Sequence, residues 1–361
     1  MTSSQLNDRT MAFPHRGRAV VLPRFGPANV LELSEVEQPR PRPKELVVRV
    51  RATSVTRGDL IARRFGLMTA REFSMPRPIW FAMRSHFGTR TPRVRILGSE
   101  FSGTVEAVGR DVTSFSVGQC VFGNTGMAMG AYADYVRVPE GGTIALKPSS
   151  LSDAEAATAT AGTLTALRLL RRLRLEPDQR VLILGASGGI GSAAVQIAKN
   201  VYGARVTGVG GPRSLEYIRS LGAEAAHDYT TYDPGATLEP YAVIVDVLGK
   251  GSFGGLRHLL ERDGVYVYVS FKTRHVMQML GTRLESGKRV ICALALGPAS
   301  DMEEVRDLLS SGQVRVAVDR CFPLVNAAQA HAYVESGQKV GHVALIVDGE
   351  VSCADGDGLD Q

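Results

Sequence analysis

The sequence predicts an α/β protein of two domains, a mostly β first domain followed by a doubly wound parallel sheet. Residues 1–148 hold short apolar or alternating segments separated by Gly- and Pro-rich turns. After Lys147-Pro148, short apolar strands alternate with helical stretches, the rhythm of repeated β–α–β units. The length of 361 residues exceeds one ordinary domain and falls short of three.

The first fifteen residues and the last eleven, VSCADGDGLDQ, lack periodicity and read as loose tails. Arg18–Leu22 and Leu46–Val50 are strand-like, with PRPRPKE as a Pro-rich turn between them. Strand patterns recur at Ile96–Val108, Cys120–Gly123 and Ala133–Val138. LSDAEAATATAGTLTALRLLRRLRL then sets an Asp ahead of an Ala-rich apolar run, as a helix start would. Strands follow at Arg180–Leu184, Arg205–Val209, Val243–Asp246, Val265–Val269 and Val290–Leu294, separated by helical stretches. A helix at Asp301–Leu309, the segment VRVAVDRCFPL, a further helix and a strand at Val343–Val347 complete the pattern. The expected divisions are 1–148, 149–297 and 298–361.

Charge is uneven along the chain. The net charge is +6, but residues 1–150 carry 21 basic and 12 acidic side chains, and the remainder 21 and 24. Ten arginines crowd residues 51–95, against Asp59 and Glu72. No nucleic-acid module accompanies this excess, so nucleic acid is not an expected partner. No apolar run reaches the roughly eighteen residues of a membrane span. The four scattered cysteines (Cys120, Cys292, Cys321, Cys353) contain no CxxC pair, so neither a disulfide framework nor a zinc ribbon is expected. The N-terminus, MTSSQLNDRTMAFPHRGRAV, has no apolar h-region. A cytoplasmic, reducing location is the expectation.

The strongest chemical signal is RVLILGASGGIGSAAVQIAK. A buried strand runs into Gly185-Ala186-Ser187-Gly188-Gly189-Ile190-Gly191 and then an amphipathic helix. Glycines admit a pyrophosphate close to the backbone, and the helix N-terminus offers unpaired N–H groups and a positive dipole end. The strand–loop–helix context distinguishes this from a merely tight turn. About twenty residues on, an enzyme preferring NAD would place Asp or Glu beside the ribose. This chain has Gly210-Gly211-Pro212-Arg213-Ser214 there. Arg213, with Ser214, suits a 2′-phosphate, which makes NADPH the expected cofactor. The alternative is that Arg213 is a solvated residue at a helix start.

These residues, with ATSVTRGD (52–59), GSEFSGTVEAVG (98–109) and GAYADY (130–135), resemble the medium-chain dehydrogenase/reductase superfamily, and within it the zinc-free quinone oxidoreductases. The resemblance covers residues 17–348 and implies a GroES-like β-rich catalytic domain, interrupted by a Rossmann cofactor domain and completed by the C-terminal segment. It also implies cofactor contacts for Tyr229 near the adenosine phosphate, Val247 and Gly249 beside the nicotinamide ribose, and Ser270-Phe271 over the nicotinamide. Packing is the alternative for most of these.

Where zinc alcohol dehydrogenases carry metal ligands, this chain has Thr56, Ser99 and Ala161, and it lacks the cysteine-rich lobe of the structural zinc. No metal is therefore expected, and Cys120 reads as a buried small hydrophobe. Without a Lewis acid, simple alcohol oxidation is difficult, whereas hydride addition to a quinone or α,β-unsaturated carbonyl is not, because conjugation carries the charge. Thr56, Asp59 and Thr165 are the candidates for orienting the substrate carbonyl, with water as the alternative proton source. Asp59 has a second reading, as the cap of the following helix.

Residues 62–95 form an arginine-rich insert bearing Trp80, the sole tryptophan, with Phe81 and Phe87 nearby. This aromatic segment suits the mouth of a site for a flat or conjugated small molecule. Its arginines suit an acidic partner, an acyl carrier protein among them. A solvated basic surface with its aromatics packed on the domain is the competing reading. The resemblance further implies a homodimer. Two other functions fit the motifs: an enoyl-thioester reductase on carrier-protein or coenzyme A substrates, and a non-catalytic nucleotide-binding protein.

Overall fold

The structure, a computed structural model, describes residues 16–233, 239–283 and 287–349. Both expected tails, and Cys353, lie outside these residues. Two sheets organise the chain. The first is built from β3 (Glu45–Ser54), β4 (Glu100–Val108), β5 (Cys120–Asn124), β6 (Tyr135–Pro139) and β7 (Thr143–Leu146), joined by β14 (Val318–Pro323) and β15 (His342–Ile346). A separate antiparallel pair, β1 (Arg16–Val21) and β2 (Glu32–Glu37), precedes it. The second sheet is wholly parallel, in the order β10 (Ala225–Asp228), β9 (Arg205–Gly210), β8 (Arg180–Leu184), β11 (Tyr241–Asp246), β12 (Leu260–Tyr268), β13 (Arg289–Cys292). Strand order reverses between β8 and β11, the switch point where open α/β sheets bind ligands. The fold is therefore a GroES-like β domain with a Rossmann-like nucleotide-binding domain.

The closing segment returns to the first sheet: Ala344, Leu345 and Ile346 of β15 pair with Ser54, Thr53 and Ala52 of β3. Helix α3 (Asp153–Leu173) links the two sheets. It starts with a reciprocal cap between Ser152 and Glu155 and buries most of its alanines and leucines. Gly162 lets it approach the glycine loop, since a Cβ there would lie 2.4 Å from the Gly189 carbonyl oxygen.

Several expectations need correction. The insert is not a simple loop: it folds as the end of α1 (Arg57–Arg64) and as α2 (Arg77–Phe87). Phe87 is 3% exposed and packs with Phe65 in the β-domain core, away from solvent. Cys120 is exposed, and Cys321 is disulfide-bonded. Strand β7 was hidden in the sequence because it has four residues between turns, too few to display alternation.

Candidate functional site

Strand β8 delivers the glycine loop to the switch point. Gly185 turns with φ +87°, and α4 (Gly189–Asn200) begins after Gly188. A Cβ on Gly191 would sit 2.0 Å from the Gly185 carbonyl oxygen, so strand and helix meet there without room for any side chain. Among the described residues, the amides of Gly189, Ile190 and Gly191 have no acceptor, as the first turn of a helix leaves them. Ala186 is buried against β9, and Ser187 lines the loop next to Gly210. The loop thus presents three unpaired donors, a hydroxyl and a helix dipole, a fit for a pyrophosphate.

At the end of β9, Arg213 is exposed. Ser214 is buried, and its hydroxyl donates to the Gly211 carbonyl, so it shapes the turn. Tyr229 is 67% exposed, its amide bonded to the Gly210 carbonyl and its ring beside Gly211. Across the cleft, the closing segment brings up Tyr333, Asp319, Lys339 and His342. The Tyr333 hydroxyl donates to Asp319 at 2.7 Å, and burial, then Asp319, raise its pKa to about 12. The positive field of Arg213 reaches it.

On the other side of the switch point, the buried carboxylate of Asp246 holds the next loop. It accepts from the amides of Gly249 and Gly251, both at 2.8 Å, and from the Tyr266 hydroxyl. Gly249 has φ +65°, and a Cβ would fall 2.1 Å from the Ser270 carbonyl oxygen. Ser270 in turn donates to the Val247 carbonyl at 3.1 Å. Val247 and Phe271 are 8% and 4% exposed, so their side chains belong to the core and a cofactor would meet only their backbone. Asp246 closes an apolar strand in the sequence, and its amide and hydroxyl partners show that it holds the following loop.

The substrate side is organised by two buried carboxylates. Thr56 caps α1: Asp59 N–H donates to Thr56 Oγ1, while Thr56 N–H and its hydroxyl donate to Asp59 Oδ2. The other Asp59 oxygen accepts from Gly98 N–H at 2.9 Å. Burial raises the Asp59 pKa despite these donors. Glu100 accepts from the Ser54 and Thr160 hydroxyls and from Ala161 N–H. Burial raises its pKa to about 7, with the neighbouring Asp59 adding to the rise. Glu100 stands inside the GSEFSG motif, next to Ser99, and its partners Ser54, Thr160 and Ala161 lie too far along the chain to be read from that motif. Through Asp59 and Glu100, the positions of Thr56, Ser99 and Ala161 are drawn together. Thr165 lies one turn beyond Ala161 on α3, and its hydroxyl has no hydrogen-bond partner among the described residues. No cluster of three or more His, Cys, Asp or Glu is placed to hold a metal among the described residues.

The insert bridges the two domains. Met75 packs against the cores of both sheets, and Lys272 Nζ donates to the Arg71 carbonyl at 2.8 Å. Trp80 is partly buried with Arg84 5.0 Å above its ring, and its indole N–H has no partner among the described residues. Phe81 is 65% exposed. A cleft of about 380 Å³ lies on the outer face of α1, lined by Arg57, Leu60, Arg64 and Glu335, away from the glycine loop.

Comparison with known proteins agrees with this arrangement. Residues 42–148 match the alcohol dehydrogenase GroES-like domain, and residues 221–345 match the family described as zinc-binding dehydrogenase. A chloroplastic NADPH-dependent alkenal/one oxidoreductase of Arabidopsis thaliana is 26% identical over 345 residues, covering 92% of this chain and 80% of the relative. An NAD-dependent alcohol dehydrogenase of Sulfurisphaera tokodaii is 26% identical over 353 residues, with coverage of 88% and 96%. The quinone oxidoreductase from Coxiella burnetii superposes with a TM-score of 0.77 at 26% identity, over 92% of this chain and 100% of that one. No helix among the described residues is long and apolar enough to cross a membrane. The chain belongs to the medium-chain dehydrogenase/reductase superfamily, in its quinone oxidoreductase-like branch.

Proposed function

We propose that the protein is a zinc-independent NADPH-dependent reductase of quinones or α,β-unsaturated carbonyls. The observation that carries this reading is the pairing of a vacant-amide glycine loop with a substrate side whose three metal-ligand positions are Thr56, Ser99 and Ala161. Such residues offer no donor set for a catalytic zinc. A bound dinucleotide supplies the hydride. Gly189, Ile190, Gly191 and Ser187 hold its pyrophosphate, Arg213 selects the 2′-phosphate, and the exposed ring of Tyr229 covers the adenosine. Gly249 and Ser270 shape the loops of the nicotinamide end.

Thr56 has its hydroxyl proton engaged with Asp59, so Asp59 positions Thr56 and the α1 N-terminus. Thr165 retains an unengaged hydroxyl and orients the acceptor carbonyl, with water returning the proton. The insert, with Trp80 and Phe81, covers the acceptor and excludes bulk water. The exposed Leu294 and Leu296 beyond edge strand β13 form the homodimer contact. An NADPH-oxidation screen over quinones, enones and enoyl thioesters, with product identification by mass spectrometry, tests this function. Turnover of the first two classes, lowered about tenfold in kcat by Thr165→Val, is the expected result. Oxidation of NADPH with none of the three would overturn it.

A further inference from the structure

We infer that His342 is a proton-linked ligand of the dinucleotide pyrophosphate, its imidazole taking up a proton as the phosphates bind. This rests on the reading that the glycine loop binds NAD(P)H. His342 is the first residue of β15 and reaches from the closing segment of the β domain onto the first turn of α4. A Cβ on Gly189 would lie 3.1 Å from the ring carbon Cε1, 3.7 Å from Nδ1 and 3.9 Å from Nε2. The ring therefore lies against the very turn whose amides of Gly189, Ile190 and Gly191 have no acceptor. Among the described residues, neither ring nitrogen has a hydrogen-bond partner.

The contrast with His331 makes the point. That imidazole is also held neutral by burial, but both its nitrogens are engaged: Arg63 donates to Nδ1, so Nε2 carries the proton and donates to the Tyr132 hydroxyl oxygen. His342 has equivalent groups without partners, at the edge of an anion site. In the free protein, burial and then the ammonium of Lys339 push its pKa down to about 3. Lys339 is held by the Gly341 carbonyl and faces Asp319. Of the elements beside it, α4 has no acidic side chain in its first turn, and β14 sets Val318 opposite His342, with Asp319 next in the strand and facing Lys339.

Phosphate charge brought against this ring raises its affinity for a proton. Between the free and bound pKa values, binding takes up a proton, and affinity tightens as pH falls. The 2′-phosphate of NADPH titrates in the opposite sense, since protonating it weakens its hold on Arg213. NADH lacks that group and isolates the imidazole.

Calorimetric titration of the full chain with NADH and with NADPH, at pH 6, 7 and 8 in buffers of different ionisation heat, tests the inference. Proton uptake is expected with NADH and a smaller net uptake with NADPH, whose 2′-phosphate releases protons on binding, and NADH affinity is expected to tighten about three- to tenfold from pH 8 to pH 6. His342→Gln should bind without uptake, and His342→Lys should bind with little pH dependence. Absent uptake in the wild type, or uptake unchanged in His342→Gln, would overturn the proton linkage while leaving the proposed function intact. Failure to bind either dinucleotide would overturn the proposed function itself.

Discussion

The two sides of the cleft use polar groups in opposite ways. On the Rossmann side, the first turn of α4 leaves three amides without acceptors, and Arg213 and Tyr229 stand exposed. On the β-domain side, Asp59 and Glu100 are fully buried and each carboxylate oxygen already accepts a hydrogen bond. One side is prepared to receive charge. The other has the carboxylates Asp59 and Glu100 committed to holding α1, β4 and α3 in place.

This division can be broken in order of effect. Gly191→Ala places a methyl 2.0 Å from the Gly185 carbonyl oxygen. Isothermal titration should show dinucleotide binding weakened by at least about 100-fold, and near-normal binding would mean that the loop is not the receiving side. Arg213→Glu should weaken NADPH about 50-fold while changing NADH less than about twofold. Equal losses for both cofactors would remove the 2′-phosphate role.

Glu100→Gln sharpens the scaffolding half through pH. A carboxyl whose folded pKa lies near 7, above its unfolded value, binds protons more tightly in the folded state. Folded stability therefore falls as pH rises from about 4.5 to 7, because ionisation costs more inside the protein. The variant, which keeps the hydrogen-bonding shape, should lose this slope and gain about 2 kcal/mol relative to wild type between pH 5 and 7.5. Urea melts at both pH values measure it, and parallel slopes would refute it. The smallest effect is Thr56→Ala, which removes the α1 cap and should cost about 1 kcal/mol in the same assay.

The legible and illegible parts of the sequence follow the same division. The parallel strands, the glycine loop and the position of Arg213 could be read because each is local: apolar strand, glycines, helix, and a fixed distance to the next strand. Glu100 and His342 could not, because their meaning lies in neighbours far along the chain. Glu100 meets Ala161, and His342 meets Gly189. Aromatic content misled at Phe87 and Phe271, where a ring expected at the cleft is packed in a core. Propensity cannot tell which face of a segment the rest of the fold will cover.

The pairing of β15 with β3 has a consequence for synthesis. Ala52, Thr53 and Ser54 emerge from the ribosome almost 300 residues before Ala344, Leu345 and Ile346, which cover their edge. Val55 N–H, directly before the Thr56 cap, also waits for the Val343 carbonyl. The parallel sheet, contiguous in the chain, can fold while the first-made domain still exposes an open strand. The domain begun first is thus finished last, and a chain interrupted before residue 342 would carry a complete cofactor sheet beside an unfinished, aggregation-prone substrate half.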